Sequence, residues 1–578
     1  MRIKKTHGNL TVSAIAGTHV VLLAMNMPEA KCNGLLGFAI HRTDHDAQEA
    51  FWLQGMKIFR SVPVDFLPGT KVSTREHPIQ GFTWSDFSAK PGNRYTYRIL
   101  ALNGQPAAPQ EFAAVDVNIN TEVERLEGGH EVYFNRGTAA SQEYANRFHN
   151  MRPEQVGDAA FRWLSRGLHE ALIGFVERAK DQDWGLRVAA YEFTELSVLK
   201  ALRAAAQERK VDVKIIYHAR EQADEVTDSK GHTKQTQTGA NRAAVAAVGI
   251  GDICSERVAP PKSAISHNKY IVLLHKGEPV AVLTGSTNFS LGGIFGHSNV
   301  VHVVNGAEVS GEYLRYWTVL IGDPETTALR TTLDGMCTVS KAPLPPEVPA
   351  KDTATIFSPR SATDALDFYA LLSARAKKGL FMTFAFGMNP AFQNVYKTST
   401  AGLRMTLMEK AVLPRQDKVK QAMEEQAIID LRKMPENRFA IGGTMPFNVL
   451  EHWADEKLSG LNVNVKYLHT KYMLVDPLSD DPIVVSGSAN FSNASCTDND
   501  ENMLVIRGDT RVADIYLGEF MRLYKHFAFR DWLNHALEDG EVKVGQPAPV
   551  EFLDEDNKWW KGWFGKTGRS AEKVYFSL

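Results

Sequence analysis

One pattern occurs twice in this chain, and it constrains the fold more than any other feature. The first occurrence is His267-Asn268-Lys269, then Gly285-Ser286-Thr287-Asn288-Phe289-Ser290, then Asn299. The second is His469-Thr470-Lys471, then Asp476, Gly487-Ser488-Ala489-Asn490-Phe491-Ser492, and Glu501-Asn502. Spacing is kept as well as identity: Asn288 to Asn299 and Asn490 to Glu501 are both 11 positions. Such a succession, repeated at long range, reads as an internal duplication. Two related halves can set matched side chains across one cleft.

The flanking residues agree with this reading. Each HxK runs into an apolar stretch, 270–274 or 472–475. Residues two apart on a strand face the same way, so His and Lys of each pair are expected on one face. A second apolar run, 280–284 or 483–486, then delivers Gly-Ser-x-Asn at its end. Upstream, strand-like runs at 132–137, 186–191 and 211–218 alternate with helical periodicity through Phe161, Leu164, Leu168, Leu172 and Phe175, and over 195–209. The alternation begins again with a strand at 355–361, a helix carrying Leu366, Tyr369 and Leu372, and a strand at 380–386. The expected architecture is α/β: one unit over 128–335 and a second over 350–535, joined by the Pro-rich stretch 341–346.

Both flanks differ in character. Residues 1–122 read as β, with runs at 20–25, 37–42 and 94–100 separated by Gly, Pro and Asn. Tyr95, Tyr97 and Ile99 alternate after the turn 90–93, and the run resembles the penultimate strand of a fibronectin type III sandwich. A small β-sandwich is expected here, used for packing or for docking a protein partner. The tail, 536–578, holds Trp559-Trp560-Lys561-Gly562-Trp563-Phe564. Its first reading is an aromatic plug against the second half; the other is an anchor at a lipid boundary.

A chain of 578 residues has room for three or four such domains. The net charge of −2 advertises no global polyanion-binding surface, although a local basic cleft is compatible with it. No window offers ~18 uninterrupted apolar residues, so no membrane span is expected, and the polar N-terminus reads as no signal peptide. Cys32, Cys254, Cys337 and Cys496 lie far apart, with neither CxxC nor zinc spacing. Reduced thiols, a cytoplasmic setting, and neither metal nor other cofactor are the expectation.

The duplicated motif brings together two imidazoles, two ammonium groups and two amides. Lysine supplies point positive charge for phosphate oxygens, and Asn288, Asn490, Ser286 and Ser488 supply neutral hydrogen bonds to the same oxygens. This inventory suits displacement in two steps at a phosphodiester. A neutral imidazole attacks phosphorus and the other, protonated, imidazole donates to the leaving oxygen; water then hydrolyses the phosphohistidine. Lysines and amides take the charge of the equatorial oxygens, a task performed elsewhere by Mg²⁺.

HxK, four residues, Asp, then GSxN resembles the signature of the phospholipase D superfamily, and the second copy matches it in full. The resemblance implies two tandem phospholipase D-like units forming one active site, with His267, Lys269, Asn288, His469, Lys471, Asn490 and Glu501 as catalytic residues. It implies the same phosphohistidine mechanism. It also implies that Asp476 is a feature of the strand end, so Leu274 at the matching position is no sign of inactivation. In the family the polar group at the position of Asn299 and Glu501 orients a histidine through its distal ring nitrogen. With Glu501 taken to stand behind His469, and Asn299 behind His267, the carboxylate is expected to hold the proton on His469 as general acid. His267 is then the neutral nucleophile. Tyrosyl-DNA phosphodiesterases are similar in lacking the first aspartate and in having an amide partner.

Motif and mechanism leave the substrate open. The leading expectation is nucleic acid, because the Glu501 spacing resembles that of small bacterial nucleases of the family. Arg404 with Lys410, and Arg415, Lys418 and Lys420, are candidate backbone-tracking clusters. Phospholipid headgroups are the alternative, supported by the Trp-rich tail. A degenerate binding scaffold is the third reading, and two intact HxK pairs argue against it. His218, His297 and His302 read as core or supporting groups.

Overall fold

The structure is a computed structural model that describes residues 1–577 except 63, 66, 67, 138–140, 229, 230, 337–347, 349, 413–416, 445–449, 451, 452, 459, 462–464 and 544–550. The Pro-rich stretch 341–346, Cys337 and Arg415 lie outside the described residues.

Each α/β half is built on a seven-stranded sheet, and the two sheets have one topology. In the first half the strands are His130–Phe134, Trp184–Ala190, Asp212–His218, Cys254–Arg257, Lys269–His275, Glu278–Gly285 and Val300–Asn305. In the second they are Thr353–Ser358, Gly379–Phe384, Leu403–Met408, Asn437–Ile441, Tyr472–Val475, Ile483–Gly487 and Glu501–Arg507. Across either sheet the order runs from the opening strand through the last, sixth, fifth, second and third to the fourth. The second, third and fourth strands pair in parallel, and the rest are antiparallel. The three-strand parallel block is what the βαβ alternation in the sequence demands, and the other four strands form an antiparallel block beside it.

The halves share a core. Tyr270, Val272, Tyr313, Tyr316 and Trp317 of the first pack in one cluster with Phe357, Tyr472, Leu474, Tyr516 and Phe520 of the second. The helix Thr510–Glu538, 29 residues long and capped by Asp509 accepting from the Val512 amide at 2.8 Å, runs through this cluster. It carries Val512, Ile515, Tyr516, Phe520, Leu523 and Phe527 into the core, together with Ile15, Val20 and Leu22 from the N-terminal region. Gly17 allows the close approach at that contact, where a Cβ would lie 3.2 Å from the Ile515 backbone and ask the helix to give by a few tenths of an ångström.

The expected single helix through 161–175 is two, Asp158–Ser165 and Leu168–Val176. Arg166 and Gly167 between them have φ of 48° and 89°. The turn sends the Arg166 guanidinium inward to the buried Glu519 carboxylate at 2.7 Å. Periodicity continues through the break because both helices bury the same side.

The N-terminal region is a sandwich of two four-stranded antiparallel sheets. One comprises Arg2–His7, Leu10–Ala16, Val21–Asn26 and Thr83–Asp86; the other comprises Gly37–Asp44, Glu49–Trp52, Arg94–Gln105 and Ala108–Asn120. Tyr95, Tyr97 and Ile99 alternate into its core as the sequence requires. The tail corrects the expectation made for it. Trp559, Trp560 and Trp563 are buried in the sandwich core, not against the second half. Trp559 donates its Nε1–H to the Leu35 carbonyl at 2.8 Å and meets the rings of Phe38 and Phe82. The final helix, Gly568–Phe576, reaches the second half, where Tyr575 and Phe576 pack on Phe381. Among the described residues no helix is long and apolar enough to cross a membrane.

Candidate active site

The two HxK motifs meet where the halves meet, and the backbone explains how. Neither motif lies wholly on a strand: the first strand starts at Lys269 and the second at Tyr472. The residues just before each motif pair instead with the other half, Ser266 with Asp500 and Leu468 with Ser298. His267 donates its amide to the Asp500 carbonyl at 2.9 Å, and His469 donates to the Ser298 carbonyl at 3.2 Å. The two imidazole centroids are 6.4 Å apart, a separation one phosphate can bridge.

This exchange overturns the expected pairing of histidines with polar partners. Glu501 stands behind His267, accepting from its Nδ1 at 2.8 Å. Asn299 stands behind His469, with Oδ1 3.0 Å from its Nδ1. Each partner comes from the opposite half, because the cross-half bridges set the residue preceding Asn299 or Glu501 against the segment preceding the other histidine. Equal spacing within each copy carries no information about such a crossing.

Lys269 and Lys471 each donate one ammonium proton to the carbonyl of the histidine two residues back, at 2.5 Å in both cases. The remaining ammonium protons are available to a ligand. Asn288 and Asn490 are buried, and both amide oxygens lack a hydrogen-bond partner. Ser286 and Ser488 correct the reading of them as phosphate ligands. Ser286 donates to Asn299 Oδ1 at 2.8 Å and accepts from the Val300 amide at 3.1 Å. Ser488 accepts from the Asn502 amide at 3.0 Å and lies against its carbonyl at 3.3 Å. Both hydroxyls fasten the Gly-Ser turn to the last strand of their own half and are fully buried.

Burial dominates the electrostatics. It pushes the His267 imidazole down to about 4, against the opposing pull of Glu501. It pushes the Lys269 ammonium down to about 7 and holds His469 and Lys471 well below their ordinary values, with Lys471 and Lys269 respectively adding repulsion. Four buried cationic or potentially cationic groups thus lie close enough to repel one another, a repulsion that a phosphodiester anion would neutralise.

Several supporting residues gave weaker signals or none. Glu409 accepts the amides of Lys466, Tyr467 and Leu468 at 2.8, 3.0 and 2.8 Å, fixing the approach to His469. In the first half the matching position is His218, whose Nδ1 accepts from the Ser266 amide at 3.3 Å. Aligning the ends of the strands at 212–218 and 403–408 would have found both. Tyr191 sets its ring edge-on to His267 at 5.0 Å and beneath the Lys269 ammonium at 5.3 Å. Buried Arg257 binds Asp500 at 3.0 Å and Asp323 at 2.6 Å, which pins the loop that delivers Glu501.

The remaining candidates lie elsewhere. Asp476 accepts the amides of Lys377, Lys378 and Gly379 at 2.9, 2.7 and 2.8 Å, fastening a strand end. Leu274, its counterpart, is buried in the core. Arg404 is no backbone-tracking residue: it is buried and hydrogen-bonded to the Ser399 and Ala401 carbonyls, both at 2.8 Å. Lys410, Lys418 and Lys420 are exposed.

A family model described as "Cardiolipin synthase, PLD-like domain" matches the chain twice, over residues 172–319 and 372–524. Each match contains one HxK pair with its Gly-Ser-x-Asn, and together they span just over half of the chain. The chain belongs to the phospholipase D superfamily. It is therefore a phosphodiester-acting enzyme of that superfamily, with two tandem phospholipase D-like units behind a small antiparallel β region. No curated protein matches it. Among solved structures it is similar to phosphatidylserine synthase of Haemophilus influenzae Rd KW20, at 13% identity and a TM-score of 0.42, covering 72% of this chain and 94% of that one. Yeast tyrosyl-DNA phosphodiesterase is similar at 12% identity and a TM-score of 0.32, covering 58% and 87%. Polyphosphate kinase of Porphyromonas gingivalis is similar at 13% identity and a TM-score of 0.36, covering 58% of this chain and less than half, 43%, of that one.

Proposed function

We propose that this phospholipase D enzyme hydrolyses phosphodiester bonds of nucleic acid through a covalent phosphohistidine on His267. The observation that carries the phosphohistidine reading is the crossed pairing of the two imidazoles. With Nδ1–H held by Glu501, the Nε2 lone pair of His267 is left to attack phosphorus. As the N–P bond forms, the ring gains positive charge, and the adjacent carboxylate stabilises it. The role first assigned to His267 is thus retained, on the opposite ground from the one the sequence suggested.

His469 is backed by an amide, which holds its proton less firmly than a carboxylate would, so its imidazolium is the better acid. The arriving phosphodiester anion raises its pKa and lets it carry that proton. Breaking of the P–O bond transfers the proton from His469 Nε2 to the leaving oxygen. Water then attacks phosphorus, giving a proton to His469 as the N–P bond breaks, and His267 is restored neutral. Lys269, Lys471, Asn288 and Asn490 hold the nonbridging oxygens. The donor set needs no metal for this chemistry.

Two observations favour nucleic acid. Tyr191, half-buried beside His267, offers an aromatic ring next to the reacting phosphate, as stacking of a base requires. The Trp-rich tail, which was the support for a lipid surface, is spent on the sandwich core. A side-by-side digestion of labelled DNA, RNA and phosphatidylcholine with EDTA present tests the reading. Cleavage of DNA or RNA is expected to survive chelation. Release of choline without cleavage of either polynucleotide would replace the substrate, and loss of all turnover restored by a divalent ion would replace the mechanism.

A further inference from the structure

We propose that His297 is a positioning residue that fixes the tautomer and ring plane of His469; the inference takes from the functional reading only that His469 acts through its Nε2. His297 is two residues before Asn299, just after a π-helical turn at Gly292–Gly296, and is almost fully buried. No motif contains it.

In the native arrangement the protons around Asn299 can be read from backbone groups whose roles are fixed, and His297 is the second acceptor that holds the amide in that arrangement. The Gly293 carbonyl can only accept, and it lies 2.7 Å from one end of the Asn299 side chain, so that end is Nδ2. The Val300 amide can only donate, and it donates to Ser286 Oγ at 3.1 Å. The Ser286 hydroxyl proton is therefore free for Asn299 Oδ1 at 2.8 Å. That same Oδ1 lies 3.0 Å from His469 Nδ1, which must then carry a hydrogen. His469 is left with Nε2 for chemistry.

His297 closes the set. The second proton of Asn299 Nδ2 points to His297 Nδ1 at 2.8 Å, so that nitrogen must offer a lone pair. The burial that keeps this ring neutral, pushing it down to about 3, is consistent with an acceptor there. The His297 ring also packs on that of His469, with centroids 4.6 Å apart and planes at 39°. One side chain thus holds both the partner of His469 and the ring of His469. Without its acceptor, the Asn299 amide keeps only Gly293 on its Nδ2 side. An amide turned end for end would present N–H to His469 and move the imidazole proton to Nε2.

The second half handles the same position differently. Asn499, two residues before Glu501, donates Nδ2 to Glu501 Oε1 at 3.4 Å and accepts the Ile265 amide on Oδ1 at 3.1 Å. A carboxylate has no wrong way round, so no imidazole is needed behind it. An amide has two, and the half that carries an amide is the half that carries His297.

Asparagine places its Oδ1 where histidine places Nδ1, while glutamine reproduces the Nε2 position instead. His297→Asn, His297→Gln and His297→Leu therefore separate the roles. The ring-nitrogen ¹⁵N signals of His469, assigned by their loss in His469→Ala, report the tautomer at pH 7. Turnover of bis(p-nitrophenyl) phosphate reports the chemistry. Wild type and His297→Asn are expected to hold the proton on Nδ1, with His297→Asn, which restores the acceptor but not the packed ring, keeping more of the wild-type kcat than the other two variants. His297→Gln and His297→Leu are expected to populate the Nε2–H tautomer and to lose about tenfold in kcat with KM unchanged. An unchanged tautomer in all three variants overturns the proposal. So does activity kept by His297→Gln and lost by His297→Asn, which would mean that Nε2 touches substrate. If wild type fails to turn over the ester while the tautomer still follows the series, the positioning role stands and the phosphodiesterase reading falls.

Discussion

His267 and His469 stand at matching places in a duplicated motif and differ by what lies behind them, a carboxylate for one and an amide for the other. That difference predicts inequivalent losses. His267→Ala should form no phosphoenzyme. His469→Ala, given an ester with an activated leaving group such as p-nitrophenolate, should accumulate phosphohistidine at residue 267, because attack needs little acid help while hydrolysis of the intermediate lacks its base. Intact-mass and peptide spectra of that variant decide it, and phosphate on residue 469 of the wild type would reverse the roles. Glu501→Gln should lower kcat by about two to four orders of magnitude, the range for a positioned acid–base group, with little change in thermal stability. The buried cations make a second prediction. The folded pKa of His267, about 4, lies below its ordinary 6.5, so the unfolded chain binds more protons between those values and stability falls with acid through that window. Lys269, at about 7 against an ordinary 10.5, adds stability as pH rises from about 7 to 10.5. A bound oxyanion removes both penalties. Tungstate at pH 7 should raise Tm, by the equivalent of ~2.7 kcal/mol at about 100 times its Kd. Lys269→Met should be inactive yet about 1 kcal/mol more stable than the empty wild type in denaturant titration.

Elements show where sequence reasoning succeeds and where it stops. Strands and helices of both halves were legible because the period of burial changes at their boundaries, as at Leu196–Gln207 and Asp212–His218. The HxK pairs and their Gly-Ser-x-Asn turns were legible because the motif is repeated. Partners across the halves were not legible: the bridges from Ser266 to Asp500 and from Leu468 to Ser298 are long-range backbone contacts with no local signal. The serines misled because a hydroxyl that binds phosphate and one that ties a turn to the next strand look alike in sequence. Trp559, Trp560 and Trp563 read first as a buried plug, and they are buried, but in the sandwich and not against the second half, because the residues a plug will meet leave no local signal. The alternative arose because tryptophan beside lysine also suits a lipid boundary. Their burial in the sandwich yields a prediction that separates the two. Trp559→Ala removes a ring packed between Phe38 and Phe82 together with the hydrogen bond to Leu35, and should cost about 3–5 kcal/mol in unfolding experiments. Binding of the wild-type protein to phosphatidylcholine vesicles should be no stronger than that of the variant; a selective loss of vesicle binding with stability intact would restore the anchor.

At the scale of the whole molecule, the question is whether one chain makes one site. Both histidines are present in one chain, and each is held by a residue of the other half. Glu501 reaches His267, and Asn299 reaches His469. The hydrophobic cluster beneath the site is continuous through both sheets and the helix Thr510–Glu538, and extends to Ile15, Val20 and Leu22 of the sandwich. Opening it to exchange halves between chains would expose large apolar surface, at roughly 25 cal/mol for each Å². Each chain should therefore complete its own site. Mixing His267→Ala with His469→Ala under native conditions is expected to restore no turnover, since every site in the mixture lacks one imidazole. Recovery on simple mixing, scaling with protein concentration, would instead mean that halves from different chains assemble around the phosphodiester. Co-refolding the two variants from denaturant provides the control. If exchange of halves is sterically possible but kinetically closed in the folded protein, activity should appear only after refolding, and its fraction should rise with chain concentration. Silence in both arms is the expected result for a site built within one chain by duplication.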